Sequence, residues 1–235
     1  MAGSVPVPAC KEWAVVVDAL LRGEQILDLR KGGIREEGRR FELRGDRFWL
    51  FPTYEHQDAA LLKPAHRPAL KRVLVERGRA AADHVRIDGW AEVAGTALLT
   101  EPEPLEALDR EFIWTGEYAA KRLRWKRRQP LWLLALRVHR VDEPLIVPMV
   151  PDYAGCSSWV TLRGVVEDPA TLPGEPAVEA SEFASRLRAV TETIPGGLGS
   201  AEAPSGPTPV VTLDGLATAA ATPRSDSDAR GGTNG

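Results

Sequence analysis

The stretch Tyr54-Glu55-His56-Gln57 places an acid, an imidazole and two further hydrogen-bonding groups side by side, after the turn residues Pro52 and Thr53. Histidine titrates near neutral pH, and a neighbouring carboxylate tunes that titration. The pattern therefore allows acid–base chemistry by His56 and Glu55. A histidine at the start of a helix more often hydrogen-bonds to nearby backbone, so we favour a structural or ligand-orienting role for His56 over catalysis.

Metal-dependent chemistry has little support in this sequence. A nuclease of the common restriction type needs carboxylates for Mg²⁺ and a lysine two residues after one of them. No Glu-x-Lys or Asp-x-Lys occurs, and arginine in Asp28-Leu29-Arg30 or Glu42-Leu43-Arg44 is a poor replacement. The two cysteines and four histidines lack the paired spacing of a zinc site. We expect no metal and no cofactor.

Cys156 offers a nucleophile for which His56 or His66 could serve as the base. Its neighbours in Gly155-Cys156-Ser157-Ser158-Trp159 predict entry into a packed strand instead. Gly-x-Ser-x-Gly and phosphate-loop motifs are absent from the sequence. We therefore interpret Cys156 as structural.

Basic residues are concentrated between positions 121 and 140, a segment without a single acid. On a helix Lys121, Arg124 and Arg128 share one stripe, with Trp125 among them. Cations interleaved with an aromatic ring suit phosphate contact and base stacking. The alternative is a solvated helix face whose acidic partners come from residues 105–111. Both interpretations stay open.

A second group of cations follows a predicted strand, where Arg30 and Lys31 precede a double glycine. We place this strand beside that of Trp49, whose end leads to His56. The sequence then predicts a cleft lined by Arg30, Lys31, His56 and Lys63, with Trp49 at its base. Its rim would carry the basic helix residues Lys121, Arg124 and Arg128. Alternatively, Arg30 is a structural ion-pair partner of Glu12 or Asp28.

Composition divides the chain unevenly. The net charge is −3, yet residues 165–235 hold ten acidic and four basic residues, and all seven tryptophans precede residue 160. We predict one domain over residues 11–165, a linker and short helix over 166–194, and a disordered low-complexity tail over 195–235. With neither a secretory signal nor an apolar run near twenty residues, we expect a cytoplasmic protein without membrane contact.

The predicted elements alternate between strands and helices. Residues 11–21 fit either a helix or a strand, Thr53 is positioned to cap a short helix, and Thr115 is a plausible cap for a helix over residues 115–128. Residues 85–99 and 131–141 predict strands, the first with bulges at Gly89 and Gly95. About five strands with helices between them indicate an α+β fold, a small curled sheet or open β-barrel with helical insertions.

Six stretches occur together in a specific order and spacing: KEWA from residue 11, LRKGGI from 29, FWLFPTYEHQ from 48, LKPAHR from 62, PLWLLALRVHRV from 130 and GCSSWVTL from 155. Together they resemble the bacterial family catalogued as domain of unknown function 1802, over about residues 11–165. Members of that family have been suggested to belong with restriction–modification systems. The resemblance implies a restriction–modification partner protein or a defence context, and it transfers no catalytic residue.

Two further pieces, GEQILDLRKGG from residue 23 and GEYAAKRLRW from residue 116, are similar to the ASCH and EVE relatives of the PUA-like barrels. Those modules hold RNA, modified bases or nucleotides in a cleft, so the likeness implies a PUA-like fold. Our first hypothesis is a non-enzymatic module that binds nucleic acid or a nucleotide. The others are an enzyme on nucleic acid or nucleotides using His56 and Glu55, and a protein-interaction subunit whose basic helix meets an acidic partner.

Overall fold

The computed structural model describes residues 8–31, 43–79, 83–124, 131–155, 157–162 and 168–200, which form seven strands and five α-helices. The strands are β1 (Pro8–Trp13), β2 (Leu27–Arg30), β3 (Arg47–Thr53), β4 (His84–Leu99), β5 (Leu131–Pro148), β6 (Trp159–Thr161) and β7 (Gly174–Pro176). The helices are α1 (Ala14–Leu21), α2 (Arg67–Arg79), α3 (Glu103–Ala107), α4 (Gly116–Arg124) and α5 (Ala180–Thr193). The α+β class expected from the sequence is confirmed.

All described strands belong to one open sheet in the order β2-β5-β4-β3-β1-β6. Strand β7 pairs with the middle of β5, at residues 139–141. Every pairing is antiparallel except β1 with β3. The long antiparallel pair of β4 and β5 changes register at the two predicted bulges. At Gly89 a β-carbon would lie 2.3 Å from the carbonyl oxygen of His139, so only glycine allows this approach.

The sheet is curled, and its two faces bury different sets of side chains. The larger core packs α1, α2, α4 and α5 against one face, and the smaller one surrounds Trp49, Phe51 and Tyr153. Curling brings β2, at one end of the strand order, to β1 near the other end, where Arg30 contacts Glu12. Strand β2 therefore does not neighbour β3, which corrects the pairing expected between the strands of Arg30 and Trp49.

Local expectations also differ in places. Residues 11–21 contain both structures that the sequence allowed, a strand through Trp13 and a helix from Ala14. The turn after Thr53 starts no helix at that residue, since the next helical turn is Ala59–Leu61 and its cap is the carboxylate of Asp58. The Thr53 hydroxyl instead donates to the carbonyl of Glu12 at 3.0 Å and so joins β3 to β1.

The packed body continues beyond residue 165, where the sequence places the end of the domain. Strand β7 pairs with residues 139–141 of β5, and α5 buries Phe183 and Val190 in the larger core. Gly199 exchanges backbone hydrogen bonds with Thr96 at 3.0 and 2.8 Å. The apolar residues of α5 recur at helical spacing and so form one face of the helix. This face is buried only when it packs against the larger core. The tail predicted to be disordered starts at residue 195, but residues 195–200 belong to the described structure and Gly199 pairs with Thr96. Residues 201–235 lie outside the described ranges.

Candidate functional site

In the turn Tyr54-Glu55-His56-Gln57, the side chain that hydrogen-bonds to another described element is that of Gln57. The Oε1 atom of Gln57 accepts from the backbone N–H of Val15 at 3.2 Å, which satisfies an amide in the first turn of α1. His56 has a φ of 61°, a left-handed conformation that histidine adopts more readily than most residues. His56 and Glu55 are exposed and bond to no other described side chain or backbone group, so their acid–base role stays a prediction.

Arg30 lies inside the fold. Its guanidinium donates to Glu12 Oε2 at 2.5 Å and lies 3.7 Å from Asp28 Oδ2, and its side chain is 7% exposed. The rim position expected for Arg30 is corrected, because curling of the sheet turns the end of β2 toward β1. The alternative drawn from the sequence, an ion pair with Glu12 or Asp28, describes this arrangement.

Lys31 is also buried, and its ammonium group stabilises α4. Its Nζ donates to the carbonyl oxygens of Arg122 at 3.0 Å and Leu123 at 2.7 Å. These carbonyls belong to the last turn of α4, where a positive charge interacts favourably with the helix dipole. Lys31 therefore joins β2 to the basic helix and does not point to solvent from a cleft rim.

Lys63 holds the segment after α3 in place. Its ammonium group donates to the carbonyl oxygens of Asp109 and Phe112 and lies 2.9 Å from the Asp109 carboxylate. The side chain of Lys63 is 25% exposed. The structure thus separates the four residues of the predicted cleft: Arg30 and Lys31 lie in the interior, Lys63 fastens a loop, and His56 stands on an exposed turn.

The buried charges around Arg30 affect one another. Burial, followed by the neighbouring Glu12 carboxylate, raises the pKa of Asp28 to about 7, while Arg30 opposes the shift. Burial also raises the pKa of Tyr118 to about 12, and its hydroxyl accepts from Arg122 Nε at 2.8 Å. These groups have partners within the fold, so the cluster acts first as a structural junction between β1, β2 and α4.

The exposed cations of α4 are Lys121 and Arg124, and they are the two members of the predicted basic stripe that the structure describes. Lys121 is 59% exposed and lies 3.2 Å from Glu117 on the same helix. Arg124, also exposed, has no hydrogen bond or ion pair with another described residue. The acids of residues 105–111 form no described ion pair with them, since Asp109 pairs with Lys63, Glu111 pairs with Arg186, and Glu106 has no ion pair within the described ranges. Arg128 lies outside the described ranges.

A pocket of about 260 Å³ opens beside α4. Its apolar lining includes Leu29, Phe112 and Trp114, and α4 contributes only small residues, Gly116, Ala119 and Ala120. Arg124 follows Ala120 by four residues and so extends the same side of the helix past the pocket. Sequence reasoning did not single out Trp114, although an aromatic residue directly before the Thr115 helix start was a visible signal.

Two carboxylates belong to the lining of this pocket, those of Glu106 and Asp109. Glu106 is exposed and has no hydrogen bond or ion pair within the described part of the chain. Trp114 is 2% exposed, and its indole Nε1 finds no acceptor among the described residues.

Metal binding has no support in the described ranges, where no three His, Cys, Asp or Glu side chains come together. Cys156, which the sequence analysis interprets as structural, lies outside those ranges. None of the described helices combines the length and apolar composition that a membrane crossing needs. The cytoplasmic location stays a prediction.

Family membership follows from a sequence profile that matches residues 9–189 and is described as "Domain of unknown function (DUF1802)". The chain belongs to this DUF1802 family. The match extends through most of α5, so the family's domain reaches past residue 165, in agreement with the packing of β7 and α5. DUF1802 membership confirms the resemblance seen in the sequence, and the link to restriction–modification systems stays a prediction. None of the curated proteins matches this DUF1802 chain.

Solved structures similar to this DUF1802 protein include "Crystal structure of ASCH from Zymomonas mobilis", which is 14% identical with a TM-score of 0.37. The alignment covers 68% of this chain and 89% of that one. Tyrosine-to-phenylalanine and serine-to-alanine variants of the same Zymomonas mobilis protein align with 13% identity and a TM-score of 0.37, covering 68% of this chain and 92% of theirs. Similarity at this level carries no inference about ligand or activity.

Proposed function

We propose that this DUF1802 protein is a non-enzymatic module that binds single-stranded nucleic acid, with α4 as the surface that meets the phosphates. The observation that carries the proposal is the position of Arg124, an exposed cation without a partner in the described structure, one turn beyond the pocket-lining Ala120. Phosphate contacts by lysine and arginine supply most of the sequence-independent affinity for nucleic acid.

The surroundings of α4 favour a single strand over a duplex. An apolar pocket with an aromatic lining residue lies beside the cations, and unstacked bases bind to such surfaces. Lys121 adds a second exposed charge, and its exposed pairing with Glu117 can exchange for a phosphate at little cost. Arg128 would continue the stripe, and it enters the proposal from the sequence alone. A restriction–modification partner protein remains the context implied by the family resemblance.

The residues of the sequence-predicted cleft contribute differently to this proposal. Arg30 and Lys31 shape the site indirectly, because they connect β2 to β1 and to the end of α4. His56 does not line the pocket, and Lys63 contacts two of its lining residues, Asp109 and Phe112, without belonging to the lining itself. We therefore assign phosphate contact to Lys121 and Arg124 and positioning of α4 to Lys31.

Binding is tested with fluorescently labelled strands of about 12 nucleotides, as single-stranded DNA, single-stranded RNA and duplex, over a range of salt. We expect the single strands to bind with an affinity that falls linearly on a log–log salt plot. Lys121→Ala and Arg124→Ala should each weaken binding and reduce that slope by roughly 0.7 per lost contact.

Arg86→Ala is the matched control. Arg86 is an exposed arginine paired with Asp88 near the start of β4, whereas α3 and α4 follow the other end of that strand. Its removal should leave affinity and salt slope unchanged. Equal losses in all three variants would indicate general charge attraction and remove α4 from the site. No binding of any strand at low salt would overturn the proposal.

A further inference from the structure

The last turn of α4 lies between the phosphate surface proposed above and a group of buried charges. On its outer side Lys121 and Arg124 are exposed. On its inner side Arg122 Nε donates to the hydroxyl of the buried Tyr118 at 2.8 Å, and Lys31 Nζ donates to two carbonyl oxygens of the turn. A charge that changes on the inner side therefore acts on a strand bound to the outer side across one helix, a distance of about 10 Å.

Two buried carboxylates share one guanidinium on this inner side. Arg30 Nη1 lies 2.5 Å from Glu12 Oε2 and 3.7 Å from Asp28 Oδ2. Neighbouring carboxylates that are removed from solvent rarely ionise together, because each charge repels the other. Glu12 makes the shorter contact with Arg30, so Asp28 is the acid that keeps its proton. Burial and the Glu12 carboxylate accordingly raise the pKa of Asp28 to about 7.

The other described groups around Asp28 keep their charge state when this proton leaves. On α4, Arg122 faces Asp28 and stays charged, as does Arg30 on β2 itself. Tyr118 stays neutral, since burial raises its pKa to about 12. Strand β5 places the apolar Leu134 opposite Asp28. Loss of the Asp28 proton therefore lowers the net charge beneath α4 by one.

We propose that Asp28 makes nucleic-acid binding by α4 depend on pH: a strand binds more tightly while the Asp28 carboxyl is protonated and less tightly once it is ionised. This inference rests on the nucleic-acid binding proposed above and assigns its regulation. A bound phosphate makes the ionised form of Asp28 less favourable, so the complex takes up a proton. The affinity is then constant below about pH 7 and falls as the pH rises above it. A single charge acting across a helix should change the dissociation constant about two- to tenfold.

The test measures binding of a thymine homopolymer of about 12 nucleotides at constant salt, between about pH 6 and about pH 8. The strand has no terminal phosphate and its dye emits independently of pH, so neither titrates in this range. Asp28→Asn keeps an oxygen for the Leu29 N–H and has no charge. It should match the parent at the lower pH and bind about two- to tenfold more tightly at the upper one. Histidines titrate in both proteins, so their contribution cancels in this comparison.

Glu12→Gln is a second variant, and it leaves Asp28 intact. Without the neighbouring charge the pKa of Asp28 falls and its carboxylate pairs with Arg30, so the net charge beneath α4 equals that of the parent with Asp28 protonated. This variant should also match the parent at the lower pH and exceed its affinity at the upper one. A merely structural role for either acid would instead weaken binding at both pH values.

Glu117→Gln is the matched control, because it removes one negative charge from the exposed side of α4. It should tighten binding by a similar factor at both pH values. Asp28 and Glu12 variants that follow the parent's pH profile, or that bind more weakly throughout, would overturn this inference. Binding that Lys121→Ala and Arg124→Ala still reduce would in that case leave the proposed function standing. Absence of strand binding at both pH values would overturn the two together.

Discussion

The guanidinium of Arg30 donates to the carboxylate of Glu12 across 2.5 Å, and both side chains are less than a tenth exposed. This contact joins β2 to β1, two strands that three others separate in the sheet order. The pair therefore holds the curl of the sheet, and it does so at the place where the sequence suggested a ligand.

Replacing Arg30 by alanine should destabilise the protein by about 3–5 kcal/mol, because Glu12 would remain buried without its partner. The double variant with Glu12→Gln should recover part of that loss, since it removes the uncompensated charge. Urea unfolding monitored by tryptophan fluorescence measures both. An Arg30→Ala protein with the parent's stability and no nucleic-acid binding would restore Arg30 to a ligand-binding role.

Asp28 should make stability depend on pH. Burial and Glu12 raise its pKa to about 7 in the folded protein, against an ordinary value of 3.8. The folded state therefore holds a proton that the unfolded chain releases between these values. The stability contributed by this proton is fully present below about pH 4 and is lost as the pH rises through about 7.

Asp28→Asn removes this titration and keeps an oxygen for the backbone N–H of Leu29, which Asp28 Oδ1 accepts at 2.8 Å. Relative to the parent, the variant should gain stability from about pH 4 to about pH 7 and level off above. Free energies of unfolding at several pH values provide the test. A constant difference across the range would show that Asp28 keeps an ordinary pKa in the fold.

Trp49 should be essential for folding. Its side chain is fully buried in the smaller core, so Trp49→Ala should cost about 3–5 kcal/mol. Trp49→Phe should cost less, because phenylalanine keeps an aromatic ring in the core and removes an indole N–H that lacks an acceptor among the described residues. Thermal melts of the two variants make the comparison. Equal losses would mean that the fit of the full indole is what the core requires.

His56 should tolerate glycine well. At a φ of 61° a residue with a β-carbon pays a steric cost that glycine avoids, so His56→Gly should match the parent or exceed it by up to about 1 kcal/mol. His56→Val should lose about 1 kcal/mol or more. If His56→Gly folds normally but loses nucleic-acid binding, His56 contacts the ligand, as its sequence context suggested.

Residues 168–200 should be required for the stability of the domain. A chain ending at Ser200 should melt as the parent does, whereas one ending at Val165 should lose cooperative unfolding. The shorter chain lacks β7 and exposes the core surface that Phe183 and Val190 cover. Loss of the Phe183 ring alone should lower the free energy of unfolding by about 3–5 kcal/mol. Circular dichroism melts distinguish them. Identical melts would support the domain end at residue 165 that composition indicated.

The sequence by itself determined the elements whose signals are local. The apolar run from Leu131 predicted the first part of β5, and Gly89 and Gly95 marked the bulges of β4, because a glycine inside a strand pattern is a signal that needs no distant residue. Thr115 marked the start of α4, since helix capping involves residues three apart; its Oγ1 accepts from the Tyr118 N–H at 3.4 Å. These signals lie within a few residues of the structure they predict.

Tertiary structure alone decided what the charged and aromatic side chains do. The strand pattern around Arg30 does not indicate which strand lies opposite. The burial of Arg30 depends on the curl of the sheet, which brings Glu12 within 2.5 Å. Lys31 donates to the end of a helix 91 residues further along the chain, and Trp114 lines a pocket together with Leu29. Contacts between distant segments depend on how the sheet packs against its helices. The charge and size of one residue are compatible with many such packings, so they do not determine its partner.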